Sequence, residues 1–127
     1  MVYSLVESPD ILCLSETRIT KVNIAKYKVE ELIKPYTAYW NIAHKSGYSG
    51  TAILTKAKPT NILFGFANLN DTEGRIITAQ YQHFNIMSIY APNSGDKCKR
   101  LDYRTQSWEP ALQNHVKVLL AAKLPVK

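Results

Sequence analysis

Glu16 stands just beyond Ile11-Leu12-Cys13-Leu14, a short continuous apolar run that reads as a strand buried on both faces. A carboxylate at a strand end in a layered architecture faces a cleft. There it either holds Mg²⁺, a hard cation that takes one or two carboxylates and fills its other positions with water or phosphate oxygen, or serves as a solvated loop acid or cap. Tyr90-Ala91-Pro92-Asn93-Ser94-Gly95 also follows a strand-like run. Tyr90 and Asn93 could donate hydrogen bonds to a non-bridging phosphate oxygen, while Pro-Asn-Ser-Gly equally makes a plain turn. Lys97, Lys99, Arg100 and Arg104 form the densest basic cluster, with Tyr103 and Trp108 interleaved. Such a cluster suits the sequence-independent phosphate contacts that position a duplex, or it is a solvated helix face. His44, His83 and His115 are far apart and lack metal-ligand spacing, so they read as surface or core histidines. Cys13 and Cys98 form no disulfide framework or zinc knuckle and read as free thiols of a reducing compartment.

The chain that must position these groups has 127 residues, enough for one domain over 1–127. It carries 16 Lys+Arg against 10 Asp+Glu, a formal charge of +6. That excess is compatible with a nucleic-acid partner without requiring one. With 46% hydrophobic and 20% charged residues, the composition is that of a folded globular chain and excludes the highly charged, apolar-poor disordered class. No apolar run reaches the roughly 20 residues of a membrane-spanning helix, and the opening residues lack a basic, apolar leader. Membrane insertion and secretion are therefore not expected.

The elements follow from periodicity and punctuation. The segment up to Ser8 reads as the tail of a helix. Lys21 to Lys34 reads as a short surface helix ended by Pro35. Tyr36 to Ala43, the turn Gly47-Tyr48-Ser49-Gly50 and Thr51 to Thr55 read as strand, turn, strand. Asn61 to Phe66, Arg75 to Tyr81 and Asn85 to Tyr90 complete about six strands, with a loop at Asn68 to Asp71. After Pro92, the apolar positions Leu101, Trp108, Leu112, Val116 and Leu119 predict a helix, with a break or kink at Pro110.

Taken in order, Pro9-Asp10-Ile11-Leu12-Cys13-Leu14-Ser15-Glu16-Thr17, Gly47-Tyr48-Ser49-Gly50, Glu73-Gly74-Arg75-Ile76-Ile77, Tyr90-Ala91-Pro92-Asn93-Ser94-Gly95 and Arg100-Leu101-Asp102-Tyr103-Arg104 closely resemble successive motifs of the exonuclease III type apurinic/apyrimidinic (AP) endonucleases. That family lies within the endonuclease/exonuclease/phosphatase superfamily. The resemblance implies an α+β, DNase I-like four-layer sandwich, two face-to-face sheets with helices outside, of which this chain would carry about the first half. It also implies base-excision DNA repair: Mg²⁺-dependent (or Mn²⁺-dependent) hydrolysis of a phosphodiester 5′ to an abasic site in double-stranded DNA, by a nuclear monomer.

Carried over by motif, Glu16 matches the metal-binding Glu, although Ser15 stands where the family has Gln. Tyr90 and Asn93 match the Tyr and Asn that contact the scissile phosphate, and Tyr48 and Arg100 match positions of the DNA-facing surface. Asp96 stands where the family often has Arg or Lys, and one extra residue separates Arg104 from Trp108. The family's opening strand with its Asn, its Gly-Asp-Leu-Asn motif and its Ser-Asp-His motif have no counterpart here. Those groups supply proton transfer and charge stabilisation, each worth roughly 10²- to 10⁴-fold in rate, so the chain by itself is expected to be a poor nuclease. Two alternatives stay open: a non-catalytic nucleic-acid-binding module, and a fragment of a retrotransposon-type endonuclease, whose Tyr-Ala-Pro-Asn segment is similar.

Overall fold

A computed structural model describes residues 8–67, 69–93, 95 and 98–121. Among the described residues, six strands form two antiparallel three-stranded sheets. The first contains β1 (Ile11–Ser15), β2 (Thr37–Asn41) and β3 (Thr51–Thr55) in the order β1-β3-β2. The second contains β4 (Asn61–Phe64), β5 (Ile76–Gln80) and β6 (Asn85–Ile89) in the order β4-β5-β6. Register follows from side-chain alternation, because a one-residue slip would turn every buried side chain to the other face. Ile53 thus joins Ile77, Ala79 and Tyr81 between the sheets, flanked by Ile11, Tyr39, Ile62, Phe84 and Ile86. Its neighbours Ala52 and Leu54 face the opposite way, onto Ile33 and Tyr36.

That second face is covered by two short helices, α1 (Lys21–Lys26) and α2 (Val29–Leu32). Thr20 caps α1 by accepting from the Asn23 N–H at 3.1 Å. Val29 and Ile33 supply the contact with the sheet. On the outside of the second sheet lies a helix that runs from α3 (Leu101–Tyr103) through a π-helical stretch, Arg104–Trp108, into α4 (Glu109–Ala121). Trp108 and His115 meet Phe66 edge-on, with centroids at 5.7 and 6.1 Å. The His115 ring nitrogen Nε2 lies 3.1 Å from the Thr78 hydroxyl of β5. Helix, sheet, sheet, helix is the expected four-layer order.

Several expectations need correction. The strand buried on both faces is β3, all five residues of which are buried. β1 is a sheet edge, which leaves Cys13 exposed despite its apolar neighbours. The single helix over 21–34 is two, because Lys28 takes a left-handed conformation (φ 48°) between them. β2, β4, β5 and β6 are each one to three residues shorter than the runs that predict them. Pro110 does not break the last helix: it is the second residue of α4, and the irregularity lies one turn earlier. There the Glu109 N–H reaches the Arg104 carbonyl, a five-residue step. A π-turn absorbs one residue more than an α-turn, which accommodates the extra residue between Arg104 and Trp108. The segment before Ser8 lies outside the described residues, as do Asn68, Ser94, Asp96 and Lys97.

His115 is buried, its Nδ1 has no partner, and burial holds its pKa below the usual 6.5. A histidine kept neutral by folding takes up its proton more readily when unfolded, so its contribution is complete above the usual value and is lost as pH falls through the folded one. Lowering the pH from about 6.5 to about 5 should therefore depress the thermal midpoint. The drop should be clearly smaller in His115→Leu, as differential scanning fluorimetry across that window would show.

Candidate functional site

Five connecting segments converge on one rim of the sandwich because both sheets end there. β1 and β2 finish at Ser15 and Asn41 opposite Thr51, where β3 starts, and Ile76 at the start of β5 pairs with Ile89 at the end of β6. Three side chains tie the sheets together along this rim. Asn41 Nδ2 donates to the Ile76 carbonyl (2.7 Å), Thr51 Oγ1 to the Gly74 carbonyl (2.9 Å) and Ser88 Oγ to the Leu14 carbonyl (3.2 Å).

Glu16 leaves β1 with φ 54°. Its loop is fixed by the Thr17 and Arg18 N–H groups, which donate to the Gly50 and Ser49 carbonyls at 3.1 and 2.8 Å. The Glu16 carboxylate is well exposed and accepts from Arg18, whose Nε lies at 3.1 Å. This contact pushes the Arg18 pKa above its ordinary value, through the hydrogen bond first and charge second. The close backbone approach explains the second glycine of Gly47-Tyr48-Ser49-Gly50: at φ 92°, a Cβ on Gly50 would lie 2.5 Å from Thr17 Oγ1.

Behind this loop sits Arg75, whose side chain is only 3% exposed. Each of its nitrogens has a partner. Nε donates to Glu73 Oε2 (2.6 Å), Nη1 to the Tyr90 carbonyl (3.3 Å) and Nη2 to the Tyr48 hydroxyl (3.1 Å). The guanidinium also stacks on the Tyr90 ring at 4.9 Å and on the Tyr48 ring at 5.8 Å. Asp71 shapes the turn by accepting from the N–H groups of Glu73 (3.1 Å) and Arg75 (2.7 Å). Arg100 closes the cluster: Nη1 reaches Glu73 Oε1 at 3.0 Å and the Tyr48 hydroxyl at 3.4 Å, while the guanidinium stacks on Tyr103 at 4.7 Å. Burial is the largest influence on the Glu73 carboxyl and raises its pKa. Hydrogen bonds and charge from Arg75 and Arg100 outweigh it, and the carboxyl ends below its usual value.

The sequence-predicted residues Tyr48, Tyr90 and Arg100 therefore meet in one network. Glu16 lies beside it through the paired 16–18 and 49–50 backbone. Asn93 occupies an exposed turn just beyond Tyr90, its Oδ1 accepting from the Gly95 N–H at 3.0 Å. The basic cluster divides. Arg100 joins the rim, whereas Arg104 pairs with Glu109 at 3.2 Å. Trp108 is buried at 2% exposure and is a core residue, not an interleaved aromatic of a binding face. The residues that sequence reasoning missed are Glu73 and Arg75. They were visible as a motif but carried no role, because a buried arginine is identified only by the partners that folding brings to it.

Among the described residues, no three His, Cys, Asp or Glu side chains gather as a metal site, and no helix is long and apolar enough to cross a membrane. The donor set fits Mg²⁺ only as a single accessible carboxylate, Glu16, with water and substrate oxygen filling the other positions.

Two antiparallel sheets face to face, covered by helices, are the fold class of the AP endonucleases and exonuclease III-like enzymes. The comparisons agree. Over 119 residues the chain is 41% identical to a DNA-(apurinic or apyrimidinic site) endonuclease of Dictyostelium discoideum, covering 92% of this chain and 32% of that protein. Over 121 residues it is 40% identical to an exodeoxyribonuclease of Bacillus subtilis (strain 168), covering 94% and 45% respectively. Its fold matches the crystal structure of an AP endonuclease from Leishmania major with a TM-score of 0.73 and 28% identity, over 90% of this chain and 40% of that one. No family model matches the chain. The chain is thus related along nearly its whole length to AP endonucleases and exodeoxyribonucleases, and it spans less than half the length of the relatives described here.

The turn that carries Glu73 and Arg75 depends on Gly74, where φ is 62° and a Cβ would lie 2.5 Å from the Asn41 carbonyl oxygen. Gly47 also has a positive φ, 69°, but open space around it. Gly47→Ala should cost about 1–2 kcal/mol from the left-handed backbone alone. Gly74→Ala should cost more, by at least about 1 kcal/mol, since the clash is with backbone. Denaturant unfolding of the two variants would check the order.

Proposed function

We propose that this chain is a portion of a DNA-repair nuclease of the AP endonuclease type, one that hydrolyses a phosphodiester 5′ to an abasic site with the help of Mg²⁺ or Mn²⁺. The observation that carries this reading is the convergence of Glu16, Tyr48, Tyr90 and Arg100, each from a different connecting segment, on one rim. In this reading Glu16 supplies one carboxylate ligand to the ion. When bound, the ion stabilises developing negative charge on a phosphate oxygen. Tyr90 and Asn93 donate to the phosphate, and Tyr48 and Arg100 hold the neighbouring backbone of double-stranded DNA. A nuclear monomer is the setting that the reading implies.

A second reading has its own support. With one carboxylate and no gathered metal-ligand set among the described residues, this chain alone suits a duplex-binding module better than an efficient catalyst. Cleavage separates the two readings. Tested in a longer version that carries the rest of the relatives' length, Mg²⁺-dependent cutting fits a nuclease, and salt-dependent binding without cutting fits a module.

Fluorescence anisotropy with a duplex containing a stable abasic analogue tests the interface. Affinity should fall linearly with salt on logarithmic axes, and Arg100→Gln should reduce that slope by about one. Mg²⁺ should strengthen binding in the wild-type chain and fail to do so in Glu16→Ala. An unchanged Mg²⁺ response in Glu16→Ala would remove Glu16 as a ligand.

A further inference from the structure

We propose that Arg75 is a positioning residue that sets the Tyr48 phenol as a hydrogen-bond donor toward a backbone phosphate and locks Tyr90 beside it. The inference rests on the nucleic-acid reading above and goes beyond it, since Arg75 itself cannot touch a ligand at 3% exposure. A phenol has one proton to donate and two lone pairs to accept with. On Tyr48 both lone pairs face guanidinium N–H groups, Arg75 Nη2 at 3.1 Å and Arg100 Nη1 at 3.4 Å. Neither guanidinium can accept a proton, so the Tyr48 O–H is left to point away from both, available to an acceptor from outside the network. Lys45 Nζ sits 5.0 Å from the Tyr48 ring centroid, a third cation around the same tyrosine.

Tyr90 is held by the same residue in three ways, one through its backbone and two through its side chain. Its N–H donates to the Arg75 carbonyl at 2.8 Å, its carbonyl accepts from Arg75 Nη1 at 3.3 Å, and its ring lies under the guanidinium at 4.9 Å. One buried cation thereby fixes the spacing of two phenols that come from opposite sheets. Lysine would keep the charge but could not span Glu73, Tyr48 and Tyr90 at once, because it lacks the planar fork of donors. Arg75→Lys therefore separates geometry from charge.

The test is a double-mutant cycle on duplex binding with the full 127-residue chain, using Tyr48→Phe, Arg75→Lys and both together. Each single change should weaken binding roughly tenfold, the loss expected for one hydrogen bond to a charged acceptor. The double variant should be no weaker than Arg75→Lys alone. In parallel, NMR of the chain labelled with ¹³C at the tyrosine ring carbon bearing the hydroxyl identifies Tyr48 as the signal lost in Tyr48→Phe, and that signal should shift in Arg75→Lys. The resonance also keeps the test decisive if Arg75→Lys lowers stability, since it reads the folded chain. Losses that multiply in the double variant, or an unmoved Tyr48 resonance, would overturn the proposal while leaving duplex binding intact. A wild-type chain that binds no duplex at low salt would instead overturn the nucleic-acid reading, and the donor role with it.

Discussion

A buried guanidinium is the constraint around which the rim is organised. Arginine cannot shed its proton in a protein, so Arg75 must find an acceptor for each nitrogen or leave a charge unpaired in a poorly solvated site. The acceptors come from three separate places: Glu73 in the same turn, Tyr48 in the segment before β3, and the backbone of Tyr90 after β6. None of these segments is adjacent in sequence to another. Satisfying one side chain therefore fixes the relative placement of loops from both sheets. Removing one member of such a buried pair leaves the other uncompensated, at a typical cost of about 3–5 kcal/mol.

Those loops can be held so closely because the layers beneath them are already tied. The apolar contact of Ile53 with Ile77 and Ala79 is non-directional and sets the distance between sheets without setting their offset. The offset comes from Asn41 and Ser88, whose side chains each reach a carbonyl of the opposite sheet, and from Thr51, which reaches the turn leading into β5. Buried hydrogen bonds of this kind contribute about 1 kcal/mol each but cost more when left unmade, so they penalise sliding. At the far end the Thr55 and Tyr81 hydroxyls meet at 2.7 Å and close the opposite edge of the same interface. The rim inherits its rigidity from this frame.

Strand identities were legible because β3, β5 and β6 carry dense apolar runs bounded by turn residues, and the four layers were legible from the order of the motifs. Sequence patterning misjudged places where neighbours outside the local window decide. Ile11 to Leu14 looks fully buried, yet β1 is an edge because no third strand pairs with it among the described residues. Lys28 breaks a helix-like pattern by its backbone conformation, which no apolar spacing reports. Pro110 looked disruptive, but it directly follows a π-helical stretch where the i→i−4 ladder is already interrupted, so the helix continues past it. Trp108 sits among basic residues in sequence and against Phe66 in space. The candidate rim was legible where a chemically distinctive residue sat in a motif, as with Glu16, Tyr48, Tyr90 and Arg100. Glu73 and Arg75 were opaque for the opposite reason: their role lies in partners 15 to 27 residues away in the chain.

The charges on the rim fall into two kinds, and the difference bears on how an anionic ligand would enter. Arg75 is fixed: burial would lower its pKa, Glu73 and Tyr48 raise it further than burial can lower it, and its side chain is only 3% exposed. Arg18 is 65% exposed and pairs with Glu16 at the surface, whereas Arg100, 34% exposed, pairs with a part-buried Glu73. Exposed ion pairs are weak and screened by salt, so under the proposed nucleic-acid reading an arriving phosphate would draw Arg18 from its carboxylate at little cost. A rim whose buried charge is locked and whose surface pair is transferable can keep its shape while that pair is replaced.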